Sequence, residues 1–122
     1  MLIILDNGHG WNTPGKRSPV WNDGTQLFEW KFNRILVKEI KRRLDNLGIE
    51  SIILVPEDYD ISLRERCNRA NAIYRDRKDA ILISIHANAG GGTSREACTS
   101  IGETTSDYYA KVLYNSAGHY LR

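Results

Sequence analysis

Cysteine is scarce in this 122-residue chain: Cys67 and Cys98 stand far apart and form no C-x-x-C pair. That spacing argues against a thiolate zinc site and a dense disulfide framework, and leaves a single bridge open. Charge of one sign is scarce too. Lys and Arg number 17 against 15 Asp and Glu, a formal net charge of +2, too mild for a nucleic-acid footprint. Basic and acidic residues interleave along apparent helices, as in Lys38-Glu39 and Arg64-Glu65-Arg66, and read as solvated faces. No run nears the roughly 18 apolar residues of a membrane span. Met1 leads straight into apolar residues without the basic and apolar regions of an export signal, so no signal peptide is expected. The 41% apolar content suggests no disorder and allows one domain, residues 1–122, with a sizeable core.

What is present is concentrated at the start. Leu2-Ile3-Ile4-Leu5 runs into Asp6, then into His9 held between Gly8 and Gly10. A short apolar run stopped abruptly by Asn7 and glycine reads as a buried strand. Ligands of open α/β sheets gather beyond the carboxyl ends of the strands, where His9 stands. The pattern recurs: Ala80 to Ile85 is a second apolar run, ending in His86.

Between them, Asn12 to Pro19 and Asn22-Asp23-Gly24 form a surface loop beside His9. Phe28, Phe32, Ile35, Leu36, Ile40, Leu44 and Leu47 then recur at helical steps, with Lys31, Arg34, Lys38, Lys41, Arg42 and Asp45 opposite and Gly48 as the stop. Ser51 to Val55 predicts another buried strand. Ser62-Leu63-Arg64-Glu65 fits a capping box, starting a helix with Leu63, Cys67, Ala70 and Ile73 or Tyr74 as its spine. Gly90-Gly91-Gly92 reads as flexible, and Glu96 to Ser100 as a weaker strand. A last helix begins within Thr104 to Asp107, its face marked by Tyr108, Val112, Leu113 and Ala117. Alternating strands and helices imply right-handed crossovers and a parallel sheet covered by helices.

If the two histidine-bearing strands are neighbours, about 4.8 Å apart, His9 and His86 reach one small ion. A catalytic zinc site takes three protein ligands from His and Glu or Asp and leaves one position to water. Glu29, at the start of the first helix and among apolar residues, stands on the correct edge for the third. Asp6 is placed either to ligate or, preferably, to orient an imidazole from behind. Asn88 faces the mouth, placed to bond a substrate or cap the loop, and His119 reads as structural or solvated. Gly10 to Arg17 has the G-x-x-x-x-G-K spacing of a phosphate loop. The fit fails at Arg17, where a hydroxyl is needed, and at Pro19, which forbids the helix that must follow.

Leu5-Asp6-Asn7-Gly8-His9-Gly10, Glu29, Ser62-Leu63-x-x-Arg66 with Asn71-Ala72, and Ser84-Ile85-His86-Ala87-Asn88-Ala89 together resemble the zinc-dependent N-acetylmuramoyl-L-alanine amidases of the type 3 class. These are cell-wall hydrolases of bacteria and their phages. The resemblance spans residues 2 to about 100 and implies zinc bound by His9, Glu29 and His86. It also implies a mixed, mainly parallel sheet flanked by helices in a three-layer arrangement, and hydrolysis of the amide between N-acetylmuramic acid and L-alanine of peptidoglycan. Members carry a second glutamate in a strand after the last helix, and this sequence ends at Arg122 before it. The expectation is a C-terminally incomplete domain that binds zinc with little or no turnover, and self-associates through an unpaired sheet edge. Neither Glu96 nor Glu103 matches the absent glutamate, and Ser94-Arg95-Glu96-Ala97-Cys98 lacks the glycine and aromatics expected there. Action on the cell wall without an export signal resembles an autolysin domain or a phage or prophage endolysin. The alternatives are a non-catalytic peptidoglycan-binding module or another zinc peptidase.

Overall fold

The computed structural model describes residues 1–88 and 94–120. The elements are β1 (Leu2–Asn7), α1 (Glu29–Asn46), β2 (Ser51–Ile53), α2 (Leu63–Asp76), β3 (Ala80–Ile85) and α3 (Thr105–Tyr120). β1 lies between β2 and β3, and both pairings are parallel. The α/β class is as expected; the antiparallel member that a mixed sheet requires is not among the described strands. Two compact units share the chain, Met1–Ala89 with the sheet, α1 and α2, and Gly90–Arg122 with α3.

The pleat sorts β1's side chains to opposite faces. Leu2 and Ile4 pack with Leu54, Val55, Ile61 and Ala70, with Ile73 against them. Ile3 and Leu5 pack with Val37, with Ile40, Leu44, Ile81, Ile83 and Ile85 alongside. The first unit is thus layered α1, sheet, α2. Burying the four apolar residues of β1 contributes roughly 6–12 kcal/mol in gross terms, so Ile4→Ala costs about 2–5 kcal/mol.

The helix ends follow their sequence signals. Ser62 Oγ accepts from the Glu65 amide at 3.3 Å, the first half of the expected capping box. Gly48 takes φ +69°, which lets the Gly48 and Ile49 amides reach the Asp45 and Leu44 carbonyls, at 3.0 and 2.9 Å, and closes α1.

The helix faces depart from periodicity. On α1, Phe32 and Ile35 are exposed, as is Leu47 just beyond its end, while Glu29, Asn33, Arg34 and Val37 are buried. On α2, Leu63 and Cys67 are exposed, while Arg66 and Ala70 are buried. Arg34 and Arg66 therefore do not belong to solvated faces. Both departures have one cause. The helices begin at the carboxyl edge of a parallel sheet, where their first turns meet strand-end carbonyls and the Asp6 carboxylate. Buried polar groups there need partners, and only further along does each helix reach the apolar body of the sheet.

Residues 96–100 form no strand. In that unit Arg95 lies over the Tyr114 ring, 4.4 Å from its centroid, and donates to the Tyr114 carbonyl at 3.0 Å. Asp107 accepts from the Thr104 amide at 2.6 Å and closes the first turn of α3, whose residues Tyr108, Val112 and Leu113 stay exposed. The glycine run Gly90–Gly92 lies outside the described residues. Among the described residues no helix is long and apolar enough to cross a membrane.

Candidate metal centre

Asn7 and Ile85 are register partners at the ends of β1 and β3, so Gly8-His9 and His86 leave the sheet side by side. His9 has φ 65°, a left-handed conformation that costs a side-chain-bearing residue about 1–2 kcal/mol. Three buried side chains hold the turn. Arg34 Nη1 donates to the His9 carbonyl at 2.8 Å, Arg66 Nη2 to the same oxygen at 3.4 Å, and Asn33 Nδ2 to the Gly8 carbonyl at 3.2 Å. Each flanking glycine answers a close approach. A Cβ on Gly8 would lie 2.1 Å from His86 Cε1, and one on Gly10 would lie 2.0 Å from the Asp60 backbone nitrogen.

Glu29 opens α1, its amide bonded to the Lys16 carbonyl at 3.0 Å, so the loop folds back and sets the carboxylate at the sheet edge. His9 Nε2 lies 3.3 Å from Glu29 Oε1, His86 Nδ1 lies 3.2 Å from the same oxygen, and the two imidazole nitrogens are 3.2 Å apart. Ligands at zinc distances of about 2.0–2.1 Å in a tetrahedron are roughly 3.3 Å from one another. The donor triangle has that edge length, and its two nitrogens and one carboxylate oxygen are atoms that could hold a metal ion. The Ala87 amide donates to Glu29 Oε1 at 3.0 Å and holds it in place. Burial pushes His9 below its ordinary 6.5, against the pull of Glu29, which favours the neutral imidazole that binds metals. The His86 side chain is 44% exposed against 10% for Glu29, so the triangle opens to solvent on the His86 side.

The structure therefore brings His9, Glu29 and His86 together. Asp6 stands outside the triangle: one of its oxygens accepts from Arg66 Nη1 and the other from Ser84 Oγ. Asn88 is exposed two residues beyond His86. His119, in α3, has its ring against Tyr120, and Cys67 and Cys98 are both free and exposed. No helix follows Gly15-Lys16; Arg17 instead pairs with Phe28. The reading by residue type passed over Asn33, Arg34 and Ser84. Their partners are backbone carbonyls or lie across the sheet, which helical periodicity does not register.

Residues 3–117 match the family described as N-acetylmuramoyl-L-alanine amidase. The chain belongs to this amidase family. It is 28% identical over 114 residues to the sporulation-specific N-acetylmuramoyl-L-alanine amidase of Bacillus subtilis (strain 168), covering 90% of this chain and 41% of that protein. It is 29% identical over 103 residues to N-acetylmuramoyl-L-alanine amidase LytC of the same organism, covering 84% and 19%. The chain thus spans less than half the length of either relative. The catalytic domain of CwlV, an amidase from Bacillus (Paenibacillus) polymyxa var. colistinus, superposes with a TM-score of 0.63 at 21% identity, over 93% of this chain and 60% of that one. The amidase Ami1 of Mycobacterium smegmatis gives 0.69 at 21% identity, over 98% and 65%. These likenesses place the chain in the amidase fold.

Proposed function

We propose that His9, Glu29 and His86 hold a zinc ion, and that the chain belongs to an enzyme hydrolysing the amide between N-acetylmuramic acid and L-alanine of peptidoglycan stem peptides. The donor triangle, standing at the sheet edge of a chain in this family, carries the reading. Two imidazole nitrogens and one carboxylate suit zinc better than magnesium or calcium, which prefer oxygen. A zinc ion so held supplies Lewis acidity and a bound water with a pKa of about 7. The chain's own residues prepare the place. Burial favours the neutral form of His9, the Ala87 amide fixes Glu29, and the exposed side at His86 admits a wall fragment, with Asn88 beside it to bond the substrate. Proton transfer to the leaving amine needs a further group; the family resemblance gives that role to a glutamate that is not among residues 1–122. Action is on the cell wall, in the periplasm or outside the cell.

The test uses purified peptidoglycan, the zinc-loaded full-length enzyme to which the chain belongs, and its His86→Ala variant. Release of new L-alanine amino termini that a chelator abolishes and zinc restores supports the reading; release unaffected by chelation refutes the zinc role. Zinc-dependent sedimentation with the wall and no new termini assigns a non-catalytic binding module. Release of terminal residues of the stem peptide assigns another zinc peptidase.

A further inference from the structure

Asp6 and Ser84 are Cα partners in the β1–β3 register. Asp6 has the parity of Leu2 and Ile4, whose side chains pack on the α2 side of the sheet, and from α2 Arg66 meets it. His86 lies two residues beyond Ser84, and its Nε2 is 3.2 Å from Ser84 Oγ.

Arg66 only donates, giving Nε to the Ile61 carbonyl at 2.7 Å, Nη2 to Asp60 at 3.0 Å, and Nη1 to Asp6. A carboxylate only accepts, so the Ser84 hydroxyl must donate its proton to Asp6 Oδ2, at 2.6 Å. Ser84 Oγ then faces His86 with lone pairs alone, a contact that suits an imidazole carrying its proton on Nε2. The Nδ1 lone pair is left pointing at His9 Nε2 and Glu29 Oε1, both 3.2 Å away. We propose that Arg66, Asp6 and Ser84 form a positioning relay that fixes the tautomer and orientation of His86, with Ser84 as the contact residue. This rests on the metal reading above, since the relay has its effect through the ligand His86. Groups behind a ligating histidine commonly tune metal affinity in this way.

Ser84 is exposed, on the outer one of the described strands, so it can be altered without opening the core. Zinc affinity, measured by competition with a chromogenic chelator, is expected to fall about 10–100-fold in Ser84→Ala. Ser84→Thr keeps the hydroxyl and should restore near wild-type affinity, and urea unfolding of the metal-free variants reads separately the stability Ser84→Ala loses when Asp6 Oδ2 is left without its donor. The second measurement is long-range 1H–15N NMR of histidine-labelled, metal-free wild type at alkaline pH, where His86 should be protonated on Nε2. Wild-type zinc affinity in Ser84→Ala, or the Nδ1–H tautomer in the wild type, overturns the relay. Should the wild type bind no zinc, the metal reading fails instead, and the NMR tautomer still decides whether the relay exists.

Discussion

Gly8→Ala tests whether the His86 ring is placed by the backbone beneath it. The added methyl would sit 2.1 Å from Cε1, 2.5 Å from Nε2 and 2.6 Å from Nδ1 of His86. Carbon atoms in contact keep about 3.5–4.0 Å, so the ring has to retreat by more than 1 Å, roughly. Zinc–ligand distances tolerate only about 0.2 Å. One of three ligands is therefore lost. Structural zinc sites hold their ion with about 10–16 kcal/mol, or roughly 3–4 kcal/mol for each of four ligands, so affinity should fall by on the order of 10²–10³. The fold should survive, because the obstructing atoms belong to a partly exposed side chain that can swing outward, and neither flanking glycine has positive φ. Gly10→Ala behaves differently. Its methyl would meet the Asp60 nitrogen at 2.0 Å and the Tyr59 carbonyl carbon at 2.3 Å, backbone atoms that cannot rotate away, and overpacking of this kind costs about 1–3 kcal/mol or more. Chelator competition for zinc and urea unfolding of the metal-free proteins separate the two. A Gly8→Ala protein that binds zinc like wild type refutes the steric argument, as does a Gly10→Ala protein as stable as wild type.

Arg66→Met strips the buried Asp6 carboxylate of its guanidinium, a loss of about 3–5 kcal/mol to be read from the urea midpoint. Arg66→Lys should recover little, since one ammonium cannot serve Asp6, Asp60 and two carbonyls at once. In the metal-free protein, burial lowers the His9 pKa, with His86 and Lys16 pushing the same way and Glu29 and Asp60 opposing. The unfolded chain then takes up its proton first as pH falls through about 6.5, so stability is full above that pH and declines on the acid side until folded His9 also titrates. His9→Gln should flatten this slope, and a urea midpoint that rises toward acid would contradict burial as the leading cause. Zinc at a hundredfold excess over Kd should stabilise the wild type by about 2.7 kcal/mol, seen as a raised Tm that His9→Ala lacks.

The ligands were legible in the sequence because each is marked by an abrupt local change. An apolar run ends in Gly8-His9-Gly10, another ends in His86, and Glu29 sits where an unpaired carboxylate is costly. The alternation of strands and helices implied parallel pairing but left the adjacency of the two histidine-bearing strands as a condition, which the order β2-β1-β3 meets. The helix faces were not legible. Periodicity assumes that a helix buries one apolar stripe along its whole length, whereas α1 buries Glu29, Asn33 and Arg34 before Val37, and α2 buries Arg66 before Ala70. A buried arginine has the same residue type as a solvated one; only its acceptors, here the His9 and Glu57 carbonyls and Asp6, distinguish them. The strand expected at 96–100 rested on residue preference without a neighbour to pair with, and strand preference is mostly a preference for a packed surface.

The polar first turns of the two helices divide the work at the sheet edge. From the α1 side, Asn33 and Arg34 grip the Gly8 and His9 carbonyls, setting the backbone from which His9 projects, and Glu29 on the same helix adds a third donor. From the α2 side, Arg66 reaches Asp6, and through Ser84 the side chain of His86. The His9 carbonyl is the one acceptor that Arg34 and Arg66 share. A change in either helix start should therefore reach the donor triangle by a different route: Arg34 variants through the left-handed turn at His9, Arg66 variants through both that turn and the His86 ring. Because these routes meet at one oxygen, the effects of Arg34→Met and Arg66→Met on zinc affinity should be non-additive in a double-mutant cycle. Independent effects would mean that the shared His9 carbonyl does not couple the two arginines.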